Sequence, residues 1–107
     1  MLPLLKDLYV FQGSDYESVL TFLDPEGEPF DLSGYDLSIL IKKYYNTETT
    51  YPAQCEVDSL DEGTVKIRIP ATTTSLMDAS RYVYSLSLTQ SGVKLTAAYG
   101  HILVSRF

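Results

Sequence analysis

The chain has 107 residues, with 14 Asp and Glu against 8 Lys and Arg, and a formal net charge of −6 at neutral pH. Its length allows a single domain, and its 45% hydrophobic content with 21% charged residues argues against a disordered chain. The acidic balance opposes binding to a phosphate backbone, so we expect no nucleic-acid partner.

The single cysteine and the N-terminal sequence indicate where the protein is made. Cys55 cannot form an internal disulfide, and small secreted domains more often carry several, so we expect synthesis in a reducing cytoplasm. The apolar start of the chain is too short for the core of a signal peptide. No apolar stretch approaches the roughly 20 residues that cross a bilayer, so we expect no membrane partner.

The first predicted element in chain order is an arm or edge strand over residues 1–15. Apolar residues occupy both odd and even positions of residues 4–11, so this segment does not show a single buried face. Exposed leucines here would be a liability on a monomer, whereas docked on a neighbouring subunit they would anchor the arm. The interface residues predicted in the arm are Leu2, Leu4 and Leu5.

Two strands separated by a turn follow. Residues 16–24 follow the period of two of a strand and carry apolar residues on both faces. Val19 and Leu23 are therefore predicted interface residues on the face opposite the core. Residues 24–27 have Pro at the second turn position and Gly at the fourth, which is typical of a type I turn. Residues 36–43 are then predicted to form a core strand, whose inward residues are Leu37, Ile39 and Ile41.

The Tyr-rich stretch of residues 44–52 has no regular apolar period and is predicted to be a loop or a short edge strand. Tyrosines are enriched in interface cores, so this loop could hold a sugar or a protein, or its rings could cover the sandwich edge. The interface residues predicted here are Tyr44, Tyr45 and Tyr51. A weak strand over residues 53–58 and a clear one over residues 64–69 come next, the latter with Thr64 facing outward.

The clearest pattern in the chain is a polar corner followed by an alternating strand. Residues 71–80 are predicted to form one helical turn or a wide loop whose Leu76 and Met77 cover the end of the core. The corner from Asp78 to Tyr82 has the form Asp-x-small-x-Tyr. In immunoglobulin-like sandwiches this form precedes a core strand, and the Tyr hydroxyl bonds to backbone a few residues upstream.

The last elements are a strand from Tyr82, a hairpin turn and a final strand. Even positions from Tyr82 to Leu88 are apolar and predicted to face the core. In the final strand, Gly100 is the predicted site of a bulge. About seven strands, with turn signals roughly every 8–12 residues, predict an all-β antiparallel sandwich over residues 16–107 with one short helical turn.

No catalytic motif occurs in the sequence. His101 is the only histidine and has no neighbouring ligand, so we interpret it as a strand-surface residue. Cys55 lacks a CxxC partner and is interpreted as an inert, half-buried thiol. Acidic residues cluster at 24–31 and 58–62 without EF-hand spacing, so solvated turn carboxylates are expected and loop-bound Ca²⁺ is the alternative. We predict no enzyme, no catalytic residue, no cofactor and no metal site.

Four sequence phrases share a pattern with a known family. They are DPEGEPFDLSGY at 24–35, LSILIKK at 37–43, GTVKIRIPA at 63–71 and RYVYSLSL at 81–88. Together they resemble a recurrent structural domain of tailed bacteriophages, in which a D-G-x-P-x-D-L-T-G turn leads into a strand ending in basic residues. Strands of the forms G-x-I-x-I-x-I-P-A and Y-x-Y-x-L follow in that family. The resemblance covers roughly residues 16–107 and consists of residues that maintain the fold.

The resemblance implies an immunoglobulin-like module of a virion, similar to the N-terminal domain of upper-baseplate proteins and related tail or neck accessory proteins. Such modules act by docking, so the implied function is a baseplate, tail, neck or fibre-attachment adaptor, made in the host cytoplasm. The implied partners are other virion proteins and further copies in a symmetric homo-oligomer. Baseplate relatives usually continue into a fibre-carrying region, so a capsid decoration protein is the first alternative. A carbohydrate-binding sandwich is the second, and a cellular adhesion or chaperone module is a third.

Overall fold

The structure is a computed structural model that describes residues 3–44 and 46–106. Over those residues the chain forms eight strands and one short helix. The elements are β1 Leu4–Leu5, β2 Leu8–Phe11, β3 Tyr16–Thr21, β4 Asp36–Lys42, β5 Gln54–Ser59, β6 Thr64–Ile69, α1 Ala71–Thr74, β7 Arg81–Gln90 and β8 Val93–Ser105. The strands lie in two sheets, so the predicted all-β sandwich class is confirmed.

Each sheet has its own strand order. Sheet A has the order β1-β8-β7-β4, with β2 also pairing with β8, and sheet B has the order β3-β6-β5. Strands β1 and β2 run parallel to β8, whereas all the other pairs are antiparallel. The prediction of a wholly antiparallel sandwich is therefore wrong at this edge. The N-terminal segment lies beside the last strand, and β1 and β2 are two parts of one edge strand.

The core between the sheets is filled from alternate strand positions, as the sequence pattern predicts. Sheet A contributes the even positions of β7, and sheet B contributes the odd positions of β6, because successive strand side chains point to opposite faces. Their buried residues are Tyr82, Tyr84, Leu86 and Leu88 in β7, and Val65, Ile67 and Ile69 in β6. Leu32, in the crossing between the sheets, is also buried beneath them.

The turn after β3 forms at the predicted position. The backbone N–H of Gly27 donates to the carbonyl of Asp24 at 2.9 Å. The side-chain Oδ1 of Asp24 accepts from the backbone N–H groups of Glu26 and Glu28, at 3.0 and 2.9 Å. Asp24 therefore holds this turn together, and Glu26 and Glu28 extend from it into solvent.

Two local predictions are wrong, those for Leu76 and for the bulge. Leu76 is exposed, and only Met77 reaches the core after the single turn of α1. The Thr64 hydroxyl donates to exposed Asp58 at 3.4 Å, as an outward direction predicts, although Thr64 is buried between Thr21 and Ser59 of the neighbouring strands. The bulge in the last strand lies at Ala97, which is left between the pairs Leu86 to Ala98 and Ser87 to Thr96.

Gly100 instead permits a close backbone approach. It pairs in register with Tyr84, and a Cβ atom placed on it would lie 2.4 Å from the carbonyl oxygen of Lys6. That carbonyl accepts a hydrogen bond from the Tyr84 hydroxyl at 2.6 Å, and the N–H of Lys6 donates to the carbonyl of Tyr99 at 3.0 Å. These contacts fix the N-terminal segment to the edge of sheet A, with Leu8 and Val10 buried in the core.

Candidate functional site: the outer face of sheet A

Cross-strand register brings apolar residues from four strands together on the face of sheet A that is turned away from the core. Residues paired across strands project from the same face of a sheet, so each row of pairs is continuous. The rows are Leu40, Ser85, Tyr99 and Leu5; then Lys42, Val83 and His101; then Arg81, Leu103 and Tyr9.

We call the apolar members of this surface the apolar face: Leu5, Tyr9, Phe11, Leu40, Tyr99 and Leu103. Five of them have large exposed fractions: Tyr9 70%, Leu5 63%, Phe11 54%, Leu40 43% and Tyr99 39%. Three strand spacings and six residues along the N-terminal strand give dimensions of about 15 Å by 20 Å. The row of Lys42, Val83 and His101 runs between its two apolar rows. Exposed apolar area of a few hundred Å² is typical of an interaction site.

The outer face of sheet B has the opposite character. Arg68 Nε lies 3.8 Å from Glu17 Oε1, and Lys66 Nζ lies 4.0 Å from Asp58 Oδ1. Val19, although 48% exposed, pairs with Lys66 in the neighbouring strand. This is a solvated, charged surface with one isolated apolar side chain, so it exposes far less apolar area than the apolar face.

The predicted interface residues do not form one surface. Leu5 lies on the apolar face and Val19 on the outer face of sheet B. Leu4 is half-buried against the core, and the Tyr51 ring meets the Tyr82 ring edge-on, with centroids 5.2 Å apart. Exposed Leu23 and Tyr44 lie at opposite ends of the sandwich. Leu2 and Tyr45 lie outside the described residues.

The sequence reasoning missed Tyr9, Phe11, Leu40, Tyr99 and Leu103. A signal was present, because the strands that carry them have apolar residues at both odd and even positions. The N-terminal segment shows this two-sided pattern, but its sequence does not indicate which strands lie beside it. The apolar face becomes visible only when β4, β8 and β2 are placed in one sheet.

The tyrosine corner forms as predicted at the start of β7. The backbone N–H of Asp78 donates to the Tyr82 hydroxyl at 2.7 Å. Burial raises the pKa of Tyr82, against the lowering effect of the hydrogen bond from Asp78. Burial also raises the pKa of Tyr84 to about 12, and Tyr16 and Asp7 add to this effect. Both hydroxyls therefore hold structure and are poorly suited to proton transfer near neutral pH.

A groove of basic character adjoins the apolar face at the corner. Its lining residues are Lys43, Tyr44, Asn46, Ser80, Arg81, Val83 and His101. The Lys43 ammonium donates to the Ser80 hydroxyl and lies 4.5 Å from the centre of the Tyr82 ring, a cation–π contact that fixes its position. Within the described part of the chain, neither Lys43 nor Arg81 has a carboxylate within 4.0 Å.

His101 and Cys55 lie in the environments that the sequence pattern predicts, a strand surface and a half-buried strand position. His101 Nδ1 lies 3.7 Å from Asp7 Oδ1, which also accepts from the His101 backbone N–H at 3.0 Å. Cys55 is half-buried, and burial raises the pKa of its thiol. Across residues 3–44 and 46–106, no three His, Cys, Asp or Glu side chains converge on a metal-sized site. No helix in the same residues has the length and apolar content to cross a membrane.

A scan of the chain against protein-family models finds no match, and a search of curated protein sequences finds none either.

Proposed function

We propose that the protein is a non-enzymatic structural subunit that docks on other proteins through the apolar face. The observation that carries the proposal is the set of exposed apolar side chains on the outer face of sheet A, including Tyr9 at 70% and Leu5 at 63% exposure. Aromatic residues and arginine are enriched in protein interfaces, and this surface carries Tyr9, Phe11 and Tyr99 together with Arg81. Its two apolar rows flank a row that contains Lys42 and His101.

The kind of assembly is proposed from the sequence resemblance. Residues 24–35, 37–43, 63–71 and 81–88 resemble a structural domain of tailed-bacteriophage virions, which favours a baseplate, tail, neck or fibre-attachment adaptor. The proposed location is therefore the virion. A capsid decoration protein is the alternative within the same class, since it would use an apolar face in the same way.

We further propose that the sandwich is immunoglobulin-like. Three strands in the order β3-β6-β5 opposed to a sheet containing β4, β7 and β8 are compatible with the B-E-D and C-F-G strand groups of that fold. The Tyr82 hydroxyl bond to Asp78 at the start of β7 supports the same assignment, because a tyrosine corner precedes strand F.

The docking proposal is tested by comparing three exposed positions, two on the outer face of sheet A and one on that of sheet B. Tyr9→Ser and Leu40→Ser remove apolar area from the apolar face, and Val19→Ser is the matched control on sheet B. All three positions are exposed, so we expect the free energy of unfolding to change by less than about 0.5 kcal/mol in each. Copies per purified phage particle, measured by quantitative mass spectrometry, should fall at least about tenfold in the first two variants only.

Two results would contradict the proposal. One is a wild-type chain that is a clean monomer by light scattering and is absent from purified particles. The other is equal incorporation of all three variants, which would show that the apolar face does not contact a partner. The position of the subunit in the particle, on the head or on the tail, distinguishes the decoration alternative.

A carbohydrate-binding module is the second candidate function, and one observation favours it. Tyr9, Phe11 and Tyr99 place aromatic rings on one exposed sheet face, as sugar stacking requires. A module of this kind should bind glycans as an isolated monomer. Glycan-array binding that disappears in Tyr9→Ser, with no incorporation into particles, would favour this function over docking.

A further inference from the structure

The charged side chains of the described residues are unequally distributed between the two ends of the sandwich. One end contains the turns β3–β4, β5–β6 and β7–β8, and we call it the acidic end. Its acidic residues are Asp24, Glu26, Glu28, Asp31, Asp36, Asp58, Asp61 and Glu62, and its basic residues are Lys94 and Lys66, the latter paired with Asp58. The opposite end carries Lys42, Lys43, Arg68, Arg81 and Arg106, against Asp15, Glu17, Glu48 and Asp78.

The basic groove described above lies at this opposite end. Lys43 is held against the Tyr82 ring and the Ser80 hydroxyl, and Arg81 is exposed beside it. His101 completes the wall, with Asp7 as its acidic neighbour. The exposed ring of Tyr44, 5.8 Å from the Lys43 ammonium, gives the groove an apolar margin. The groove therefore combines apolar area with two cations that have no carboxylate within 4.0 Å among residues 3–44 and 46–106.

The turn at residues 24–29 at the acidic end has the complementary composition. Asp24 is occupied in holding the turn, whereas Glu26 and Glu28 are exposed. Leu23 is exposed and bridges to Pro29 across the turn. The turn thus presents two exposed carboxylates next to an apolar side chain.

We propose that the basic groove binds the acidic turn of a second copy of this chain, so that subunits dock head to tail. The two surfaces match in charge and in apolar content, with Lys43 and Arg81 facing Glu26 and Glu28, and Tyr44 facing Leu23. They cannot meet within one molecule, because the seven residues of β4 run between the two ends, a distance of roughly 20 Å. Complementary potentials set the orientation of such contacts.

Head-to-tail contacts join unlike surfaces and so continue from copy to copy. Such heterologous contacts close into a ring when the rotation between subunits permits, and otherwise form a filament. A net charge of −6 makes most orientations of two copies repulsive, and the proposed one brings opposite charges together. The inference deepens the proposed function by naming one partner, but it rests on residues outside the apolar face and can fail separately.

The test uses charge reversal at each surface of the full chain. Lys43→Glu with Arg81→Glu gives a subunit that is acidic at both ends, and Glu26→Lys with Glu28→Lys gives one that is basic at both surfaces. Sedimentation velocity up to millimolar concentration should show self-association of the wild type and, for each variant alone, at least about a tenfold weaker association constant. A 1:1 mixture of the two variants should associate again.

Attraction between opposite net charges cannot explain renewed association in the mixture of the two variants. Each pair of reversals shifts the net charge of −6 by four, so the variants carry −10 and −2 and both remain negative. Glu17→Lys with Glu56→Lys, on the outer face of sheet B, is the matched control for the second variant and should associate like the wild type. Arg81→Glu alone, at an exposed position, replaces the double variant if loss of Lys43 impairs folding.

The dependence of the association constant on salt concentration is the second measurement. Between about 20 mM and about 500 mM NaCl the Debye length falls from roughly 20 Å to roughly 4 Å, so association should weaken strongly. A monomeric wild type at every concentration, association that ignores salt and both reversals, or a mixture of folded variants that does not associate would each overturn the inference. Salt-insensitive association that is lost in Tyr9→Ser would instead leave docking through the apolar face intact.

Discussion

The two outer faces of the sandwich share a backbone geometry and differ in nearly every side chain. On sheet B, Glu17 with Arg68 and Asp58 with Lys66 form exposed ion pairs, which contribute little to stability but keep the face hydrated. On sheet A, Leu40, Tyr99 and Tyr9 expose apolar side chains, and the charged contact there is between His101 and Asp7. Neither set is needed to fill the core, so the difference indicates a surface role for the apolar face.

The contrast between the two outer faces arises largely from the N-terminal edge strand, because that strand supplies half of the apolar face. Leu5, Tyr9 and Phe11 belong to β1 and β2, which pair only with β8 within sheet A. If this segment were released, sheet A would lose those residues and the buried Leu8 and Val10 would be exposed. The following changes act on the segment or on a neighbouring feature.

Gly100→Ala should have the largest effect on stability. Its new Cβ would lie 2.4 Å from the Lys6 carbonyl oxygen, so the N-terminal segment must shift away from β8. We expect a loss of about 1–3 kcal/mol in the free energy of unfolding by urea titration, together with faster amide exchange in residues 4–11. Gly92→Ala is the control for backbone strain alone, because φ of +80° disfavours alanine there but its Cβ meets no atom within 4 Å. It should lose stability without faster exchange in residues 4–11. Unchanged exchange in this segment of Gly100→Ala would show that the close approach does not hold it.

Tyr84→Phe should change the dependence of stability on pH. The pKa of Tyr84 is raised from 10.0 to about 12, so the unfolded chain releases this proton more readily than the folded one above pH 10. Stability should therefore be full below pH 10 and fall between about pH 10 and pH 12, by at most about 1.4 kcal/mol per unit. Tyr84→Phe should lack this contribution to the slope of the unfolding free energy against pH. Tyr44→Phe, at an exposed ring, is the control, and an identical slope in all three proteins would contradict the prediction.

Tyr82→Phe should have the smallest of these effects and leave the apolar face unchanged. The substitution removes the acceptor of the Asp78 N–H but keeps the ring that packs on Tyr51. We expect a loss of about 1 kcal/mol in the free energy of unfolding, with incorporation into particles equal to that of the wild type. Loss of incorporation at unchanged stability would mean that the corner contacts a partner.

Most strands were predictable because their inner faces follow a period of two. The even positions of β7 and the odd positions of β6 are buried as their alternation indicates, and the Asp24 and tyrosine-corner turns carry side-chain chemistry that is local in sequence. Met77 and Leu76 show the limit of this reasoning. Adjacent apolar residues after one helical turn cannot both point inward, and sequence alone does not say which does.

The apolar face was less predictable, since it is a property of strand order. Leu40 and Tyr99 are 59 positions apart in the chain and lie in one row only because β4 and β8 both pair with β7. The parallel placement of β2 beside β8 is equally non-local. Two-sided apolar strands in a sequence are a usable signal for such a surface once their neighbours are known.

The parallel edge of sheet A also has a mechanical consequence. Strand β2 and the end of β8 run in the same direction along four paired positions, from Leu8 with Ile102 to Phe11 with Ser105. Tension applied between residue 4 and residue 105 would slide these strands past each other, loading their hydrogen bonds together, whereas a hairpin pulled from its open end separates one bond at a time. A subunit held by these two strands would resist stretching through shear along its edge.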